Sequence, residues 1–297
     1  MDHFVLPRPA ESTAAFDRHG PEIPVHPVIL SIPHAGRSYD PDLLAAARVR
    51  PEVLRRLEDR WADLLAAMLI ERGYSVLVAR APRAMIDLNR HEREIDPGMV
   101  KGLPRETALR TSHKLRGGLG LIPRRLPGVA ELWRTPLPWE EVERRIETVH
   151  RPYHRALDAL LNAARETHGH AILVDLHSMP PLPPPGAGQM TPALVLGDRF
   201  GRSASGRLMA LADDVAAGLG FVVAQNHPYA GDHMIERHGR PDHAIHAMQV
   251  EVDRAFYLDM GLDAPGPGLA RMQGLVSAMV EALANELPRT DFAMAAE

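Results

Sequence analysis

The chain has 297 residues, 45% of them apolar, a formal net charge of -4 and no cysteine. That is ample for a substantial core; the interspersed charges leave no basic field for nucleic acid, and disulfides, thiolate metal ligands and a cysteine nucleophile are excluded, so a metal here would have to use His, Asp or Glu. No apolar run approaches the roughly 18 residues of a membrane helix, and the start, MDHFVLPRPAESTAAF, lacks a basic stretch followed by an apolar one, so a cytoplasmic protein is expected.

Residues 1–24 are polar, proline-punctuated and aperiodic, and are expected to form an irregular lead-in. Val25 to Ile32 reads as a strand that breaks at Pro33-His34-Ala35-Gly36. The spacing of Val53, Leu57, Trp61, Leu64, Leu65 and Met68 predicts a helix over 51–72, with Asp59 and Asp63 one turn apart on it. Tyr74 to Ala79 is a further strand, running into a crowded end that carries Arg83, Asp87, Asn89 and Arg90. Two guanidiniums and an amide so close together suit a carboxylate-bearing substrate, since an arginine fork can donate two parallel hydrogen bonds to a carboxylate; a structural salt-bridge cluster would have the same composition. Residues 95–138 are rich in Gly, Pro and Arg and suggest a long excursion of the kind that covers a site. GGLG at 117–120 lacks the Lys-Ser/Thr ending of a phosphate loop.

A helix is expected over Glu140 to His168, kinked or divided at Pro152. It leads into AILVDLHSMP at 171–180, an unalternating apolar run typical of a strand covered on both faces, ending in Asp175, His177 and Ser178. Open α/β sheets place their ligands at such carboxyl ends, although a satisfied buried histidine would look the same. Strands at 193–196 and 221–224, a helix at 203–218, a loop from Pro228 to Pro241, an extended stretch in which Gln249, Glu251 and Asp253 share a face, and a helix from Leu269 to Leu287 complete the order. With no internal repeat or dividing linker, one domain spanning 1–297 is expected, ending in a disordered tail at 288–297.

Taken together, PHAG at 33–36, ED at 58–59, PRAMIDLNR at 82–90, DLHSMP at 175–180, PYAG at 228–231 and QVEVDRAFY at 249–257 resemble, in the same order, the N-formylglutamate amidohydrolase family. The resemblance implies a three-layer α/β/α fold with a mostly parallel sheet, phosphorylase/hydrolase-like and similar to zinc carboxypeptidases and aspartoacylases. It implies one Zn2+ ion and hydrolysis of an N-acyl amino acid, N-formyl-L-glutamate first, with a place in histidine degradation. His34 and His177 match its metal ligands. His34 lacks the Glu three positions on that carboxypeptidases carry, Arg37 standing there, and the family's acidic ligand matches Asp59, with Glu58 and Asp63 as alternatives. Most of the 16 histidines are expected at the surface.

In that scheme Glu251 is the candidate base, or alternatively a strand-face glutamate paired with an arginine; other divalent metals remain open. Arg83 would polarise the scissile carbonyl, Asn89 and Arg90 would hold the α-carboxylate, and Asp175 would orient the site without binding metal. The rivals are another zinc deacylase or peptidase on the same scaffold, and a non-catalytic amino-acid or metal-binding protein.

Overall fold

The computed structural model describes residues 14–286 apart from 185, 187 and 189, so the tail at 288–297 and the first part of the lead-in lie outside the described residues. Its strands are β1 (Phe16–His19), β2 (Val28–Ile32), β3 (Ser75–Ala79), β4 (Val100–Lys101), β5 (Leu137–Pro138), β6 (Ala171–Met179), β7 (Leu194–Gly197), β8 (Val223–Gln225) and β9 (Ile245–Asp253). Seven form one sheet in the order β1-β3-β2-β6-β9-β7-β8, parallel except where β1 meets β3 and β7 meets β9; β4 and β5 pair separately. Helices cover both faces, giving the three-layer α/β/α arrangement expected. Among the described residues no helix is long and apolar enough to cross a membrane.

Alternation along β6 builds both halves of the core. Ile172, Val174 and Leu176 face the cluster that includes Leu208 and Met209 of the helix Gly206–Gly218 and Leu275, Val276 and Met279 of the helix Leu269–Ala284. Ala171 and Leu173 face the other cluster, against Tyr153, Leu157, Leu160, Leu161 and Ala164 of the helix Arg151–His168. Fully burying a side chain such as Leu157 contributes about 2 kcal/mol. On this second face the apolar rows of three neighbouring strands turn polar at one level, where Ser31 is in register with Asp175 and Asp175 with Gln249, followed by His177 with Glu251. The strands are parallel, so these polar ends gather along one edge of the sheet.

Four expectations need correction. The lead-in contains β1, whose pairing with β3 satisfies backbone groups that the aperiodic composition gave no sign of. The helix expected over 51–72 is broken into Pro51–Leu54, two 3-10 turns at Arg55–Leu57 and Ala62–Ala66, and Ala67–Glu71. The break is held by distant contacts: Asp59 N donates to His34 O, Trp61 adopts φ 57° and donates Nε1–H to Asp263 O, and Arg37 lies 4.4 Å over the Trp61 ring. The loop over 228–241 contains a short helix, His233–His238. The helix of 139–168 is not divided at Pro152 but runs through a π turn at Ile146–His150 immediately before it.

Candidate metal centre and substrate cavity

His34 follows β2, His177 lies near the end of β6, and Asp59 sits in the break between the two 3-10 turns. Their donor atoms converge. His177 Nδ1 is 3.1 Å from His34 Nδ1 and 2.9 Å from Asp59 Oδ2, and His34 Nδ1 is 3.4 Å from the same oxygen. All three residues are buried.

The other nitrogen of each ring is already committed, His34 Nε2–H donating to Asp87 Oδ1 and His177 Nε2–H to Asp175 Oδ2, each at 2.7 Å. A neutral imidazole whose Nε2 holds the proton presents its lone pair at Nδ1, so both lone pairs and a carboxylate oxygen aim at one point. A tetrahedral ion with bonds of about 2.0–2.1 Å separates its ligands by about 3.3 Å, close to the three distances found. Burial works against charge on His177, yet Asp175 and Asp59 outweigh it and set the imidazole well above its ordinary pKa; the surroundings favour a positive charge here, as a divalent ion would supply. The donor set therefore fits a single divalent ion with a coordination position left for a small ligand.

Two supports were given no role from the sequence. Asp87 accepts from His34 Nε2, from Arg83 Nε at 2.8 Å and from the backbone N–H of Asn89 at 2.9 Å. Burial disfavours its charge, but Arg83, Arg90 and His34 together hold its carboxyl well below the usual range. Arg254 donates through Nη2 to Asp59 Oδ1 at 3.1 Å and to Glu58 O at 2.5 Å, fixing the break from the far end of β9. The signal for Asp87 was its place in PRAMIDLNR, and that for Arg254 its place in QVEVDRAFY, both part of the family resemblance. Glu58 and Asp63, the alternative acidic ligands, point elsewhere: Glu58 accepts from Tyr39 and Arg60, and Asp63 is held by both terminal nitrogens of Arg37.

The centre opens into a cavity of about 350 Å³ lined by Arg83, Lys114, Tyr229, Glu251 and Arg254 among others, a volume suited to a small molecule. Lys114, Leu119, Leu126 and Pro127 come from the long excursion. Glu251 stands beside His177 on the next strand and accepts from Gln249 Nε2 at 2.9 Å; burial raises its pKa, with Asp59 adding to the rise and His177 opposing it. Arg83 reaches Asp87 through Nε, and its terminal nitrogens have no hydrogen-bond partner among the described residues. The Lys114 ammonium forms no ion pair or hydrogen bond among them and lies 5.8 Å from the Tyr229 ring centre; burial, with Arg90 nearby, lowers its pKa.

Asn89 and Arg90 both line the cavity and also have protein partners of their own. Asn89 Oδ1 accepts from Met234 N at 2.7 Å, and its amide packs between His177 and Gln249. Arg90 lines the cavity but gives Nε to Leu119 O and Nη1 to Asn89 O and Asp232 Oδ2. These contacts occupy Nε and Nη1, while Nη2 has no protein acceptor among the described residues. Most histidines were expected at the surface, but a second group is not: His150, His154, His233 and His238 are buried behind this segment. Burial lowers His150 to about 4 and His233 to about 2, and drives His154 well below its ordinary value, so these three rings are neutral near pH 7.

Polar side chains gathered at the carboxyl ends of parallel strands, around a three-donor point that fits an ion, define an α/β/α protein with a candidate metal centre. Comparison with known proteins narrows that class. A sequence profile of the N-formylglutamate amidohydrolase family matches residues 26–258, and the chain belongs to that family. An N-formylglutamate deformylase of Pseudomonas putida is 30% identical over 243 residues, covering 78% of this chain and 82% of that protein; one from Pseudomonas aeruginosa is 28% identical over 239 residues, with the same coverage. The crystal structure of N-formylglutamate amidohydrolase from Ralstonia eutropha JMP134 superposes with a TM-score of 0.83 at 32% identity, over 91% of this chain and 97% of that one. A protein from Agrobacterium tumefaciens, 18% identical with a TM-score of 0.64 over 91% of this chain and 95% of its own, shares the fold.

Proposed function

We propose that the protein hydrolyses N-formyl-L-glutamate to formate and L-glutamate, with one divalent ion, zinc first, held by His34, Asp59 and His177. The observation that carries this reading is the convergence of two imidazole lone pairs and a carboxylate at the mouth of a cavity lined by cations and one raised-pKa glutamate. The names of the relatives support the same substrate. Bound there, the ion supplies Lewis acidity to the formyl oxygen and makes water a stronger acid.

The chain's own groups do the rest. Glu251 takes a proton from the attacking water, a task for which a carboxylate with a raised pKa is well matched near neutral pH. Gln249 holds one of its oxygens in place. As the new C–O bond forms, charge grows on the formyl oxygen, and the unpaired nitrogens of Arg83 are available to it. Glu251 then returns the proton to the amine nitrogen as the C–N bond breaks. With Arg83 turned to the formyl oxygen, Lys114 and the unpartnered Nη2 of Arg90, with Asn89 beside it, are the groups available to the substrate's carboxylates.

The decisive assay incubates zinc-replete protein with a panel of N-acyl amino acids and measures the freed amine and formate. N-formyl-L-glutamate should be the best substrate, releasing both products in equal amounts; a panel without turnover would overturn the reading. Glu251→Gln should keep its zinc and lose at least roughly 100-fold in kcat. Near-normal turnover in that variant would place the base elsewhere.

A further inference from the structure

Behind the segment Asp87 to Arg90, on the side away from the cavity, the helix Arg151–His168 and the short helix His233–His238 bring together a second set of imidazoles. One nitrogen from each of His150, His154 and His233 lies within 4.8 Å of the others, and all three residues are buried. Their hydrogen bonding is incomplete in a directional way. His150 Nε2–H donates to Arg90 O at 2.8 Å, which leaves the lone pair on Nδ1, and that atom has no partner among the described residues. His154 Nε2–H donates to Leu88 O at 3.0 Å, so its lone pair is also on Nδ1, 2.8 Å from His238 Nε2; because His238 Nδ1–H donates to Asp158 Oδ1, two lone pairs face each other there. Neither nitrogen of His233 has a hydrogen-bond partner, although the residue is only 4% exposed.

A buried, unpartnered polar atom costs about 1–3 kcal/mol, and this cluster carries three. The segment is otherwise well satisfied, Asn89 Oδ1 receiving Met234 N and His238 bonding to Asp158, and an ion held by one nitrogen of each ring would partner His150 Nδ1 and one of the two His233 nitrogens. Imidazole nitrogens in a group of three, all buried, are ligands for a borderline divalent transition ion and poor ones for calcium or magnesium. No carboxylate of this group is free to convert the site to an oxygen-rich one: Glu236, 3.9 Å from His233 Nδ1, is engaged by Arg110 and Arg199.

We propose that His150, His154 and His233 form a second, structural site for a divalent transition ion, which braces the segment carrying Asp87 and Asn89 from behind. His154 joins by releasing His238, whose ring remains anchored to Asp158 at 3.0 Å. His91, partly exposed with its ring 5.2 Å from that of His233, marks the side nearest solvent. The site adds no group to the hydrolytic cavity and stands independently of the substrate assigned above.

The test counts ions with Zn2+ and Co2+ as probes. The metal-stripped full chain is titrated, desalted and assayed by elemental analysis, alongside His34→Ala/His177→Ala, His233→Ala and the variant combining all three changes. The expected contents are two equivalents for the wild type, one for each partial variant and none for the combination, with visible Co2+ bands persisting in His34→Ala/His177→Ala. If His233→Ala fails to fold by circular dichroism, the decision passes to His150→Gln in the same background, which should lose the remaining equivalent. One equivalent in the wild type and none in His34→Ala/His177→Ala would overturn the proposal and leave an ordered water as the partner of these nitrogens. One equivalent in both would support this cluster and remove the hydrolytic ion instead, so the two assignments fail separately.

Discussion

Asp87 is the residue on which the candidate centre most depends without touching the ion position. It takes the Nε2 proton of His34, so that the lone pair of that ring points inward, and it anchors Arg83, whose remaining nitrogens face the cavity. Asp87→Asn is expected to weaken zinc binding about 10–100-fold, the usual cost of losing a carboxylate that orients a ligating imidazole. Competition against a chelator of known affinity measures it, and an unchanged affinity would mean that His34 needs no such partner. Asp175 stands to His177 as Asp87 does to His34, and it was expected to play that part from its place two residues before a strand-end histidine. Asp87 was not, because nothing in a sequence reports that its side chain meets a ring 53 positions earlier.

At the scale of elements, the helix Trp139–Arg145 is tied to the crowded segment by Arg145, which is buried and donates to Met85 O at 2.8 Å. Glu141 accepts from Arg145 Nε at 2.7 Å and from Arg144, and its carboxyl is depressed to about 2. The hydrogen bond from Arg144 is the largest cause, burial opposes it, and the contacts with Arg145 add to it. A depressed folded pKa means stability present above the ordinary value of 4.5 and lost as pH falls toward about 2. Solvent screens the exposed part of the pair, so Glu141→Gln should cost about 0.5–1 kcal/mol at pH 7. Urea unfolding of the two proteins should show the gap closing between pH 6 and pH 3; a gap independent of pH would assign the loss to packing instead.

For the molecule as a whole, an ion that binds only the folded state stabilises it by about 2.7 kcal/mol at a free concentration of 100 Kd. For a chain of this size that is a rise in Tm of roughly 5 °C. Thermal unfolding with zinc and after chelation measures the total shift, and the part that disappears in His177→Ala belongs to the centre at the strand ends. A shift of the same size in that variant would detach the effect from His34, Asp59 and His177.

The amino-acid sequence by itself determined the layers, the parallel sheet and the strand ends where chemistry collects, because burial on two faces writes unbroken apolar runs and their sudden polar endings mark the sheet edge. It also brought forward His34, His177 and Glu251, each lying at or just beyond such an ending. Tertiary structure alone decided the rest. Asp59 reaches the centre because contacts from His34, Asp263 and Arg254 hold a break in what apolar spacing describes as one helix. Arg90 is held at the cavity wall because Asp232, 142 positions away, accepts its Nη1–H. The buried histidines looked superficial because His150 and His154 come from one helix and His233 from another, and their meeting is written in neither. Periodicity records which face of an element leaves water; it carries no information about which distant side chain waits on the other side.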